Sequence, residues 1–301
     1  MVTQKCFAKV NICLKVNGKK GDYHDLESVV MSVDKYDVVT ASKRKDDKIL
    51  ITFVGPYAVT PKLQEDTNAY KAAKLFKETF NTKGVNITVK VNIPSCSGMG
   101  GSSSDIAGVL GALKKLFKID APMKPLADIL GSDSGYLLSC GFARIQGRGE
   151  VVTHLKTDHR YYFVVIYAKT GVSTKECFRI LDEENCPRGE INVDMVEKGI
   201  VDGDLALVSK HAGNDLYLPA IKINPEVEEN LTALKNLSPE HCFMTGSGAT
   251  CVAMYLHREM ASWATHTLKK KYGSRVELLS FYNPDELSAF DRLLGFIPPE
   301  F

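Results

Sequence analysis

The run Ile93-Pro94-Ser95-Cys96-Ser97-Gly98-Met99-Gly100-Gly101-Ser102-Ser103-Ser104-Asp105 constrains this chain more than any other stretch. It follows the alternating segment Val85-Asn86-Ile87-Thr88-Val89-Lys90-Val91, which reads as a strand. It leads into a segment with Ile106, Val109, Leu110, Leu113, Leu116 and Phe117 on one helical face. A strand that turns through small residues into a helix N-terminus leaves backbone N–H groups pointing outward. The helix dipole favours anions there, and no bulky side chain blocks close approach. The run is not a P-loop, because no Gly-Lys-Ser/Thr follows the glycines, and Gly-x-Gly-x-x-Gly does not occur in it. An ordinary strand–helix connection is the structural alternative; the unbroken Gly100–Ser104 at the helix start favours a phosphate cradle, most simply for a nucleotide.

With 301 residues, the chain is long enough for two domains, expected at 1–150 and 151–301. Hydrophobic residues make up 44%, enough for a normal core, and the formal net charge of +2 calls for neither a nucleic-acid nor a membrane partner. Eight cysteines are present without a Cys-x-x-Cys pair, and no histidine pair has zinc spacing, so no metal site is expected. Free thiols beside apolar residues fit a reducing, cytoplasmic setting. Mixed strands and helices without strict alternation predict an α+β fold. Strands are expected at Ala8–Val16, Asp37–Ala41 paired with Lys48–Phe53, 85–91, Phe142–Ile145, Val151–Leu155, Tyr161–Tyr167, Thr250–Leu256 and Val276–Phe281. Helices are expected at 67–80, 103–117, 122–130, 174–182, 225–236 and 258–271.

Four further places could carry chemistry. Lys9 and Asn11 stand two apart in the first strand and so project to one face. A lysine there could pair with phosphate or orient an acid, or simply face solvent on an edge. Asp133, in the turn Gly131-Ser132-Asp133-Ser134-Gly135, reads as a helix N-cap or as a general base near a transferred phosphoryl. Tyr23-His24, after the first glycine turn, could stack on a base and read its edge, or start a strand. Gly246-Ser247-Gly248-Ala249 is a tight turn or a second loop against the ligand.

Taken in order, Ala8-Lys9-Val10-Asn11, Pro94-x-x-x-Gly98-Met99-Gly100-Gly101-Ser102-Ser103-Ser104 and Met244-Thr245-Gly246-Ser247-Gly248-Ala249 resemble the three motifs of the GHMP small-molecule kinases. The resemblance runs from about residue 3 to 283 and is nearest to the branch acting on a cytidine-diphosphate alcohol. It implies a ribosomal-S5-like N-terminal domain and a ferredoxin-like C-terminal domain, with substrate between them. It implies ATP as phosphoryl donor, Mg²⁺ on the phosphate oxygens, and a monomer or homodimer. Lys9 and Asp133 would be the catalytic pair. Pro94, Ser97, Gly98, Met99, Gly100, Gly101, Ser102, Ser103 and Ser104 would cradle the ATP phosphates, with Asn68 near adenine or ribose. Asn11, Tyr23, His24, Thr174, Phe178, Gly246 and Ser247 would hold the substrate, Tyr23 and Phe178 stacking on cytosine and His24 reading its edge. Other GHMP kinase substrates (mevalonate, homoserine or a sugar), and a binding protein of this fold with weak catalysis, stay open. Asp105 is expected to add negative charge in the first helical turn. Ser134-Gly135, where relatives read Val-Pro, is expected to loosen the turn that aims Asp133.

Overall fold

A computed structural model describes residues 1–21, 23–184 and 186–286. Two long strands, β1 (Val2–Lys20) and β2 (Tyr23–Lys43), pair antiparallel along their whole length. The first glycine turn is therefore short: residues through Lys20 belong to the strand and the turn begins at Gly21. Next come β3 (Ile49–Val54), α1 (Asn68–Phe80), β4 (Val85–Lys90), α2 (Gly101–Phe117), α3 (Lys124–Leu130), α4 (Ser134–Ser139), β5 (Phe142–Gly147) and β6 (Val151–Leu155). β2 is the spine of this first sheet: β1 lines one edge, while β4 and β5 share the other, at opposite ends.

The expected pairing of 37–41 with 48–53 is corrected. β4 lies between the two, antiparallel to β2 and parallel to β3. The reason is the crossover: α1 separates β3 from β4, and a helical return brings two strands back parallel. Thr67 starts α1 as expected of an N-cap, its hydroxyl accepting from Tyr70 N at 3.2 Å.

The second half holds β7 (Tyr162–Ile166), α5 (Thr174–Glu183), α6 (Val193–Asp202), α7 (Leu205–His211), α8 (Tyr217–Ile223), α9 (Glu226–Lys235), β8 (His241–Met244), β9 (Cys251–Tyr255), α10 (Arg258–Tyr272) and β10 (Val276–Ser280). Its sheet runs β10-β7-β9-β8. β6 pairs with β5, so the chain passes from the first sheet to the second between Leu155 and Tyr162.

Period-two patterning sets the layers. Ala8, Val10 and Ile12 of β1, and Val29, Met31 and Val33 of β2, meet Phe163 and Val165 of β7 and Val252 and Met254 of β9 in one buried core. The alternate residues Val164, Ile166 and Ala253 face α5, α8, α9 and α10 instead. The opposite side of the first sheet packs on α1, α2 and α3. Each Val, Ile, Met or Phe among them contributes about 1.5–3 kcal/mol by leaving water. The shared core holds the first sheet rigidly against the second, and the site forms where the loops of both converge. Among the described residues no helix is long and apolar enough to cross a membrane.

Candidate active site

Lys9 is 4% exposed although charged, so it must be paired. Its Nζ lies 3.1 Å from Asp133 Oδ2 and also donates to Asn11 Oδ1. Asn11 Nδ2 donates to Ser28 Oγ at 2.8 Å, and Ser28 Oγ donates to the Cys13 carbonyl at 2.5 Å. This chain of bonds fixes the orientation of the Asn11 amide, its oxygen toward Lys9, and holds the ammonium on the face that Asp133 approaches. Ser28 escaped the sequence reading because its role depends on the β1–β2 register, which brings a strand 15 residues away alongside.

Asp133 stands at the N-cap of α4, yet its carboxylate makes no capping bond. It faces Lys9 instead, with a quarter of its side chain in solvent. The expected loosening at Ser134-Gly135 is corrected. Ser134 and Tyr136 are fully buried, and Tyr136 OH donates to the Gly141 carbonyl at 2.7 Å. At Gly135 a Cβ would stand 2.1 Å from Asp128 Oδ1, so any larger residue there requires that carboxylate to move.

The glycine run is stitched to both halves of the chain. Lys9 N donates to the Met99 carbonyl at 3.0 Å, Thr250 N to Ser97 O at 3.1 Å, and both Val172 N and Ala249 N to Cys96 O. Thr245 Oγ1 accepts from Asn11 N at 2.9 Å and donates to Gly98 O at 3.3 Å, bridging all three motif segments. Gly98 and Gly246 interlock, with a Cβ on Gly98 falling 2.0 Å from Thr245 O and one on Gly246 falling 2.6 Å from Gly98 O. Gly98→Ala is expected to cost about 2–4 kcal/mol, from forced backbone contact and a left-handed φ. Thermal melting together with nucleotide titration checks this, the titration showing at least tenfold weaker binding.

At the head of α2, Gly100 is the N-cap and supplies no capping side chain. The first-turn N–H groups of Gly101, Ser102 and Ser103 are therefore available to an anion. Ser104 is turned away, its Oγ donating to the Phe7 carbonyl at 2.9 Å. Phe7 itself stacks on Tyr282 with centroids 3.6 Å apart. Asp105 is the fifth residue of α2 and lies beyond its first turn, which corrects the expected first-turn charge. Its Oδ1 is sealed from solvent, and burial, followed by the nearby Asp37 charge, pushes its carboxyl well above the usual range. Pro94 opens the loop, half-buried.

Thr174 Oγ1 and Ser247 Oγ lie 2.7 Å apart, joining the start of α5 to the late glycine turn. Asn214 Nδ2 donates to the Met244 and Gly246 carbonyls at 2.8 Å each and sets that turn. His24 stacks on Phe178 at 4.3 Å and 24°, and its Nε2 is 2.8 Å from Asp182 Oδ1. Tyr23 is 53% exposed and carries the Arg148 guanidinium 3.7 Å over its ring. Asp182, absent from the sequence reading, lies one helical turn beyond Phe178, a spacing that places both on one face of α5. Asn68 is the first residue of α1 and, among the described residues, has no hydrogen bond to the loop.

A lysine–aspartate pair with a buried ammonium, a bare helix N-terminus and two glycine turns stitched to the first strand are an arrangement suited to phosphoryl transfer. Residues 67–142 match the model of the GHMP kinases N terminal domain. A 4-diphosphocytidyl-2-C-methyl-D-erythritol kinase of Clostridium perfringens is 36% identical over 273 residues, covering 89% of this chain and 93% of that one. The chain belongs to the 4-diphosphocytidyl-2-C-methyl-D-erythritol kinase family of GHMP kinases. A crystal structure of a 4-(cytidine 5'-diphospho)-2C-methyl-D-erythritol kinase superposes with a TM-score of 0.75 at 25% identity, covering 92% of this chain and 98% of that one. The mevalonate kinase of L. major shares the fold, with a TM-score of 0.70 at 14% identity over 94% of this chain and 96% of that one. Membership in the kinase family makes this chain a small-molecule kinase and accounts for the α+β architecture.

Proposed function

We propose that this kinase transfers the γ-phosphoryl group of ATP to the 2-hydroxyl of 4-diphosphocytidyl-2-C-methyl-D-erythritol, in isoprenoid precursor synthesis, in the cytoplasm. The observation that carries the reading is the 3.1 Å approach of Lys9 Nζ to an Asp133 carboxylate that leaves its own helix uncapped. In this reading Asp133 accepts the hydroxyl proton as the oxygen attacks the γ-phosphorus, and the bond to the β–γ bridging oxygen breaks. Lys9 orients Asp133 and offsets charge growing on the transferred group. The N–H groups of Gly101, Ser102 and Ser103 receive the phosphates. Among the described residues no cluster of three or more His, Cys, Asp or Glu could hold a metal. Mg²⁺ would therefore ride on phosphate oxygens and water, as it commonly does beside nucleotides, and neutralise their charge.

The stacked His24–Phe178 pair gives a base an aromatic platform, and Tyr23, with Arg148 over the face of its ring, adds a second ring and a cation. In this reading Asn11, Thr174, Gly246 and Ser247 hold the rest of the substrate, Thr174 and Ser247 through hydroxyls that lie 2.7 Å apart. Nothing in the reading requires more than one subunit, and a division of the chain into an N-terminal nucleotide domain and a C-terminal domain accompanies it.

A coupled ADP-release assay with the cytidine substrate under saturating Mg-ATP decides the matter. Turnover is expected with it and not with mevalonate, homoserine or hexoses; silence with the cytidine compound rejects the reading. Phe178→Ala is expected to raise KM for the cytidine substrate roughly tenfold or more, the loss of one base-stacking partner. The same assay is expected to show KM for ATP changed less than twofold.

A further inference from the structure

Asp37 is 1% exposed on β2, and its Oδ1 accepts from Asn92 N at 2.5 Å and Ile93 N at 2.8 Å. Those two amides are where the chain leaves β4 for the glycine run. Asp105 lies three residues before Gly108 on the face of α2 that packs on Cys6, where a Cβ on Gly108 would stand 1.9 Å from Cys6 Sγ, and Cys6 is the register partner of Asp37, so the two carboxyls face each other beneath the loop. Among the described residues no N–H or O–H group donates to Asp105 Oδ1, which is closed to water. Two ionised carboxylates are acceptors only, and facing each other with one of them fully buried they repel. The remaining polar and charged neighbours do not relieve this: Cys6 of β1 is a buried thiol beside both acids, and Lys35 of β2 is committed to Glu277 at 2.8 Å. A proton shared between the two acids would satisfy both.

We propose that Asp37 and Asp105 hold one proton between them, and that this carboxyl–carboxylate tie is the positioning device of the phosphate loop. It joins the first residues of the loop to the helix the loop opens. The distance across which nucleotide phosphates must fit is thereby set from below, by groups that touch neither phosphate nor alcohol. The inference rests on the reading of residues 93–104 as a nucleotide loop. Burial raises the carboxyls of both acids, which agrees with a retained proton.

The sign of the pH effect follows. The unfolded chain gives up both protons above about pH 4, whereas the folded pair keeps one. Stability contributed by the pair is therefore greatest at low pH and falls as pH rises, until the folded pair itself ionises. Asp105→Asn replaces the shared proton with a permanent donor and leaves the same net charge.

The test measures two quantities on wild type, D105N and D105A. One is the unfolding equilibrium from pH 5 to pH 8; the other is titration with a non-hydrolysable ATP analogue. Relative to D105N, the unfolding constant of wild type is expected to rise by up to tenfold per pH unit. D105N is expected to bind the analogue within threefold of wild type, and D105A at least tenfold more weakly. A wild-type–D105N gap that stays constant with pH overturns the shared proton. Analogue binding lost by D105N overturns the positioning role, since it would show that the carboxylate itself is needed. Should D105A fail to fold, wild type and D105N alone still decide both points. The alcohol substrate appears in neither measurement, so failure of the proposed reaction would be seen separately, in the ADP-release assay.

Discussion

Asp133→Asn lowers kcat by about 10²–10⁴, the span ordinarily lost with a general base. That is a loss of about 3–5 kcal/mol in transition-state stabilisation. KM for ATP is expected to stay within about threefold of wild type, because the nucleotide loop is held by Lys9 N, Thr245 and Thr250 N, none of which uses this carboxylate. The fold is expected to tolerate the change: the Asp133 side chain caps nothing, and asparagine still offers an oxygen to Lys9. Steady-state ADP release, with circular dichroism as a check on folding, makes the measurement. An unchanged kcat would reduce Asp133 to a turn residue, the reading that a Gly-Ser-Asp-Ser-Gly stretch invites on its own.

Much of this site is legible in the sequence because its parts are local. The glycine run lies between a period-two and a period-3.6 segment, so its place at the head of α2 follows from patterning alone. Lys9 and Asn11 share a face through strand alternation. What stays hidden depends on which distant segments pair. The insertion of β4 between β2 and β3 follows from the crossover through α1, and only then do Asn92 and Ile93 come to lie over Asp37. The same holds for Asp105, which reads as a negative charge in a first helical turn until the opposing strand is in place. His24 beside Phe178 needs contact across more than 150 residues. Short elements are lost for another reason. β8 has four residues and α4 six, fewer than a pattern requires, and α4 hides within a stretch that reads as turn. Ser134-Gly135 shows the limit of reading departures from a family pattern: Ser134 and Tyr136 are fully buried, and the Asp128 carboxylate lies where a Cβ on residue 135 would stand.

Lys9→Met separates charge from packing. Methionine keeps the apolar stem that lies against Gly100, where a Cβ would stand 3.2 Å from Lys9 Cε, and removes only the ammonium. Two groups then lose their donor. Asn11 Oδ1 is left without one in a residue only 2% exposed, at a cost of about 1–3 kcal/mol. Asp133 loses its countercharge, but a quarter of its side chain is in water, so screening discounts that term. Fold stability is therefore expected to fall by only a few kcal/mol, within reach of a melting experiment on a folded variant. The effect on catalysis is expected to be far larger, a drop in kcat of about 10²–10³, as when one preorganised electrostatic partner is removed from a transition state. Because Lys9 acts on the same carboxylate as the proton transfer, the double variant Lys9→Met/Asp133→Asn is expected to be little worse than the worse single one. Losses that instead multiply would show that Lys9 and Asp133 act independently and would break the pair into two unrelated residues.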